Sequence, residues 1–269
     1  MRINNDTTSM WAIRYLEYLQ NQQSVLSKQI SQATIPFNTD ISASVISQKL
    51  RAQISGYERS MYDVYNAIGM MNVADGGLNS ISTNLQRMRE LAVQASNSTL
   101  SQADRSALQK EFEQLQQQIN RTSQQTQYNN IAVLSGEVKN YQVQTGPNEG
   151  QNMSITIGAV NTSTLSVENL NLNNMENAQN AIRQIDKALE QVSNNRSYVG
   201  ATTNRLVSAA RELSNTMANI TSSVSNLTDT DMARSMMEFI KSQLLTRSAT
   251  GMLSHSNLSR LSVLRILGA

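Results

Sequence analysis

Cysteine is absent from the 269 residues, which excludes a disulfide framework and thiol catalysis. Histidine occurs once, as His255, so Ser/His or Cys/His chemistry would rest on a single residue near the C-terminus without convergent partners. Two prolines and eleven glycines leave long stretches without a helix breaker. Only one tryptophan and three phenylalanines are available for a core. Few aromatics, with long polar intervals between single apolar residues, suit thin helical bundles better than a thick globular interior. The formal charge is +2 and basic residues are scattered singly. That balance predicts neither a nucleic-acid groove nor a basic membrane surface. No apolar run approaches about 18 residues, so membrane insertion is not expected. The N-terminus also lacks the apolar core, about 7–15 residues long, of a cleavable secretory signal.

What is present is periodicity. From Ala178, steps of four and three reach Ile182, Ile185, Leu189, Val192, Arg196, Val199, Thr203, Leu206, Ala210, Leu213, Met217, Ile220, Val224 and Leu227. All but Arg196 and Thr203 are apolar, and no proline interrupts the series. Such a repeat predicts one long helix with a coiled-coil-like seam. At about 1.5 Å per residue it would extend roughly 75 Å. Gly200 marks a bend or a close packing point within it. A second long helix is expected from residue 44 to about residue 97, carrying Ile54, Met61, Val64, Ile68, Met71, Leu78, Ile81, Leu85, Met88, Ala92 and Ala95 on one side, with a phase slip near Asp75-Gly76-Gly77. Ser101 followed by Asp104 reads as a capping box. Leu108, Phe112, Leu115 and Ile119 form the next face, antiparallel to the helix before it.

Between residues 128 and 168 the period changes. "YQVQT" and "MSITIG" alternate apolar and polar residues around the turn-forming "GPNEG", which predicts a small β-hairpin capping one end of the rod. The termini carry their own seams: Leu16, Leu19, Gln23, Leu26 and Ile30 at one end, Met236, Ile240, Leu244 and Leu264 at the other. Neither seam alone offsets the entropy of ordering its helix, so each terminus needs a partner. The expected fold class is therefore mainly α, an elongated antiparallel helical bundle or coiled-coil rod with a small β-hairpin. Its expected division is an N-terminal helix and loop over 1–43, a rod over 44–228 and a C-terminal helix over 229–269.

Several stretches resemble bacterial flagellin in the order that family has them. "MRIN" opens the chain, and "VISQKLRAQISG" (45–56) is similar to the family's first helix start. "ADGGLNSISTNLQRMRELAVQASNSTLSQADRSALQKEFEQLQQQI" follows it through two helices, and "QTQYNNIAVLSG" (125–136) through the strand entry. "VGATTNRL" (199–206), "DTDMARSM" (229–236), "SATGMLSHSN" (248–257) and "SVLRIL" (262–267) match C-terminal landmarks. The chain resembles a short form without the large variable outer domains. It departs from the family at "NDTTSMW", "LSKQISQATIPFN" and "NTDISASVIS", where Pro36 is more like the related hook–filament junction proteins.

The resemblance implies a structural, non-enzymatic subunit without cofactor, exported unfolded and polymerising head-to-tail into an extracellular helical filament. Its chain ends would pair as an inner coiled coil after assembly. Implied partners are further copies of the chain, an export chaperone, hook-associated and cap proteins, and the vertebrate Toll-like receptor for flagellin. The alternatives are a hook–filament junction protein, or a minor flagellin acting as a secreted binding or immune-modulating module.

The stretch "LQRMRELAVQA" carries the sharpest site expectation. On spacing alone, Leu91 widens the core stripe and Arg87 is solvated. The resemblance instead assigns Arg87, Leu91 and, on the adjoining helix, Glu111 to a surface that meets a neighbouring subunit or the receptor. Arginine suits such contacts because its planar fork makes several directed bonds. Elsewhere the bland reading prevails. Met70-Met71 and Met236-Met237 read as core filler rather than metal ligands, and Asp229 with Asp231 reads as a helix N-cap rather than a cation site.

Overall fold

The heptad repeat becomes α4, a single helix over Met175–Thr228 in the computed structural model. The structure describes residues 7–35 and 41–267, without the side chains of 7–9, 259–261 and 263–267. The other helices are α1 (Thr7–Gln32), α2 (Ile41–Ala95), α3 (Gln102–Gln125) and α5 (Met232–Leu267). Contacts divide the chain into two compact units, one formed by 1–52 with 219–269 and the other by 53–218. The division falls inside α2 and α4 rather than at helix ends, because compactness follows side-chain packing and not backbone breaks. Pro36 lies outside the described residues.

In the unit of 53–218, α2 buries Val64, Met71, Leu78, Ile81, Leu85, Met88, Leu91, Ala92 and Ala95. Gly76 and Gly77 interrupt nothing, since α2 is continuous through them. α3 contributes Phe112 and Ile119 to the same core. α4 contributes Ala178, Ile185, Val192, Val199, Leu206 and Leu213, with Ala181, Ala188 and Thr202 widening the expected seam. The two polar interruptions have different fates. Arg196 reaches across to Asp75 at 3.0 Å, and Thr203 returns its hydroxyl proton to the Val199 carbonyl at 2.8 Å. Nothing packs within 4 Å of the position a Gly200 Cβ would occupy, so the glycine is not a packing point, and α4 continues through it.

Ser101 and Asp104 form the capping box that begins α3. The Ser101 hydroxyl accepts the Asp104 N–H, and the Asp104 carboxylate accepts the Ser101 N–H. Arg105 then fastens the preceding turn. Its guanidinium donates to the carbonyls of Ala95 (3.1 Å), Asn97 (2.8 Å) and Leu100 (3.1 Å). A helix C-terminus leaves carbonyls without intrahelical donors, and here a side chain from the next helix supplies them.

After α3 the chain makes two small antiparallel sheets. β1 (Gln127–Tyr128) pairs with β2 (Ile131–Ala132) across Asn129 and Asn130, both at positive φ. Such a two-residue turn favours asparagine because its short polar side chain tolerates the left-handed region. β3 (Tyr141–Gln144) pairs with β4 (Asn152–Ile155), Tyr141 opposite Ile155 and Gln144 opposite Asn152. This hairpin is the one the alternation predicts, but it does not sit as a cap. The segment from Thr126 to Pro147 runs along α2: a Cβ at Gly77 would come within 2.7 Å of Leu134 and Thr126, one at Gly69 within 3.3 Å of Tyr128, and one at Gly56 within 2.6 Å of Pro147. Three glycines on one helix clear a track for the strands, and Val143, Ile155 and Ile157 close over the core.

The other unit is built differently. The Ala33–Thr34–Ile35 segment lies antiparallel to the Thr228–Asp229–Thr230 segment, with Ile35 N–H donating to the Thr228 carbonyl and Thr230 N–H to that of Ala33. From this strap α1 and α5 pack against each other. Asp231 caps α5, accepting the Arg234 N–H at 3.1 Å. Among the described residues, the buried apolar side chains of this unit are Leu19, Leu26, Val224 and Ala249, a thinner seam than the core of 53–218.

Candidate functional site

The N-terminal seam points inward in the structure. Leu19 and Leu26 are buried, while Leu16, Gln23 and Ile30 are half-buried. The C-terminal seam does not face α1. Met236, Ile240 and Leu244 are exposed, and the residues of α5 that turn inward are Ser235, Ser242 and Ala249, flanked by Phe239, Thr246 and Leu253. Ser242 Oγ donates to the Leu19 carbonyl at 3.5 Å, and Gln23 Nε2 to Thr246 Oγ1 at 3.1 Å. Small side chains at intervals of seven let α1 and α5 approach closely, so the tight face is polar and the apolar face is left over. The side chain of Leu264 lies outside the described residues.

Helical geometry makes the separation of these faces plain. At about 100° per residue, Met237, Ile240, Leu244 and Leu258 fall on the side of α5 opposite Ser235, Ser242 and Ala249. Met237 is 65% exposed, Ile240 52% and Leu244 59%. A helix with apolar residues on all sides belongs in an interior. α1 supplies cover for one side only. α1 carries its own outward residues, Trp11, Ile13, Tyr15 and Tyr18, with the two tyrosine rings stacked 6.4 Å apart. Large exposed apolar side chains are thus concentrated in the unit of 1–52 with 219–269, and a contiguous patch of that kind marks an interaction surface.

Arg87, Leu91 and Glu111 do not form one surface. Leu91 is 1% exposed and belongs to the core, which corrects its assignment as an outward anchor. The reason is stripe width: α2 packs on several elements at once, so Leu91 and Ala92 are both enclosed. Arg87 is half-exposed and held within the subunit, its NH2 group 2.8 Å from Glu111 and its NH1 group 2.9 Å from Glu90. The hydrogen bond to Glu90, then those to Glu111, raise its pKa above the ordinary arginine value. What remains at the surface is a Glu–Arg–Glu cluster bridging α2 and α3.

His255 lies on the exposed side of α5. Among the described residues, no three His, Cys, Asp or Glu side chains converge as a metal site would require, and no helix is long and apolar enough to cross a membrane. The groove between the β3–β4 turn and α4, lined by Tyr57, Met153, Asn204, Arg205, Glu212 and Leu213, is open and of mixed character. Arg105 was not anticipated from sequence, because its three carbonyl partners become neighbours only once the turn has formed.

Comparison with known proteins gives this architecture a family. The chain matches the bacterial flagellin N-terminal helical region over residues 7–139 and the bacterial flagellin C-terminal helical region over 182–267. It is 36% identical to a flagellin of Halalkalibacterium halodurans, across 99% of this chain and 100% of that protein. It is 30% identical to the flagellar filament 30.7 kDa core protein of Treponema maltophilum, again across 99% of this chain and 100% of that one. The crystal structure of Bacillus cereus flagellin superimposes with a TM-score of 0.51 and 28% identity, covering 56% of this chain and 88% of that chain. Helices, strand region and relatives at full length agree, and the chain belongs to the bacterial flagellin family.

Proposed function

We propose that the protein is a structural subunit that polymerises into an extracellular helical flagellar filament. The observation that carries this reading is the outward face of α5, where Met237, Ile240, Leu244 and Leu258 stand exposed opposite the seam on α1. A second copy of the chain is the occupant that fits. The relatives include a filament core protein, and each subunit of a polymer can offer one such face and cover another. Contacts between different faces of identical subunits do not close on themselves, and they generate an open helix. The Glu90–Arg87–Glu111 cluster is a candidate polar rim of a neighbouring contact, and for the vertebrate Toll-like receptor for flagellin the same rim, without Leu91, is the available surface. An export chaperone and hook-associated and cap proteins complete the expected partners.

The test is polymerisation of purified protein followed by electron microscopy, comparing the natural chain with Ile240→Asp. Burying an unpaired carboxylate costs several kcal/mol at every repeated interface, so the variant should remain monomeric with its 53–218 core intact. Normal filaments from Ile240→Asp would show that this face meets solvent in the polymer.

A further inference from the structure

Four methionines of α5 are exposed, Met232 at 39%, Met236 at 48%, Met237 at 65% and Met252 at 72%, the last three most openly. In the other unit, Met70, Met71 and Met88 are at most 2% exposed. Methionine is flexible and polarizable, which suits an apolar surface that must adapt to another copy. The same exposure leaves the thioether lone pairs open to two-electron oxidants, whose reach follows accessibility.

We propose that Met236, Met237 and Met252 form a modification site for peroxides, and that sulfoxide formation there in the free subunit prevents its assembly. The sulfur lone pair attacks one peroxide oxygen and the O–O bond breaks. The departing hydroxide takes the proton released from the transferred oxygen and leaves as water. Sulfur loses two electrons, the peroxide gains them, and each thioether keeps one oxygen. The Met236 and Met237 sulfoxides place strongly polar acceptors beside Ile240 and Leu244, whose side chains have no hydrogen to donate, and that of Met252 adds one further along α5. Burying such a group unpaired opposes the contact at every copy. Assembly acts in the reverse direction, since a copy that covers the sulfurs shields them. The reaction class that would undo the modification is reduction of methionine sulfoxide to the thioether.

This inference rests on the reading of α5 as an assembly face, and the experiment separates the two. Monomeric protein is treated with dilute hydrogen peroxide, sulfoxides are located by peptide mass spectrometry, and the critical concentration for polymerisation is measured. Met236, Met237 and Met252 should gain oxygen well before Met70, Met71 and Met88, with the critical concentration rising at least about tenfold. Treatment of the oxidised chain with methionine sulfoxide reductase should restore assembly. The triple variant Met236→Leu, Met237→Leu, Met252→Leu should polymerise after peroxide as it does before, although Met10, Met175 and Met232 remain exposed. Unchanged assembly of chains oxidised at all three positions would overturn the proposal, as would a triple variant still inhibited by peroxide. If Ile240→Asp blocks polymerisation while oxidation does not, the methionine site fails and the assembly face stands. If Ile240→Asp polymerises normally, the assembly face itself fails.

Discussion

Leu91→Ala tests whether α2 is read correctly in its most ambiguous stretch. Leu91 is 1% exposed, between Met88 and Ala92 in the same core. Truncation removes three buried carbons, worth about 2–3 kcal/mol of transfer free energy. A surrounding that relaxes only partly adds a cavity term, bringing the loss to about 3–5 kcal/mol. For a unit the size of 53–218, about 2–4 °C per kcal/mol gives a fall of about 6–20 °C in its melting temperature. Circular dichroism melting of the monomeric full chain reads this directly, provided the transition of the larger unit is separated from that of the α1–α5 pair. Arg87→Ala is the matched control. Its side chain is half-exposed and paired only with half-exposed carboxylates, so the melting temperature should scarcely move. An unchanged melting temperature for Leu91→Ala, with reduced polymer yield, would refute the reasoning and return Leu91 to an external interface.

Arg105→Ala should destabilise the α2–α3 turn by about 1–3 kcal/mol, because three carbonyls lose a charged donor. Arg105→Lys should recover only part of this, since an ammonium cannot span the three positions; denaturant melting of both variants checks it. The hydrogen bond from the Ser101 side chain, then that from its backbone, hold the Asp104 pKa below the ordinary carboxylate value. A depressed folded-state pKa stabilises above the unfolded value of about 4 and loses that contribution as pH falls through the folded one. The melting difference between the natural chain and Asp104→Asn should therefore shrink as pH drops below about 4, and a difference independent of pH there would refute the cap's role. In the free subunit, limited proteolysis should cut α1 and α5 before the unit of 53–218, because a thin seam opens at lower free energy than a broad core. Equal protection of both units would contradict this.

The sequence made some features legible because their signals are local. The α3 cap depends on two side chains three residues apart. The α4 helix repeats its signal often enough that Arg196 and Thr203 do not obscure it. Leu19 and Leu26 follow from apolar spacing on α1. Other features depend on what packs where. Periodicity found the apolar residues of α5, but the residues against α1 are Ser235, Ser242 and Ala249, which no hydrophobicity pattern marks. Spacing alone put Leu91 in a widened core stripe, where the structure has it, and the outward assignment came from the resemblance; a stripe's width depends on how many neighbours the helix has. The hairpin alternates visibly, yet its course along α2 is set by Gly56, Gly69 and Gly77, whose role exists only in the folded chain.

A helical reconstruction of the polymer by electron cryomicroscopy tests the central claim most directly. The account predicts that Met237, Ile240, Leu244 and Leu258 lie buried against other copies, with Ser235, Ser242 and Ala249 still on α1 of the same subunit. A filament in which those apolar side chains face an open channel or bulk solvent would contradict it.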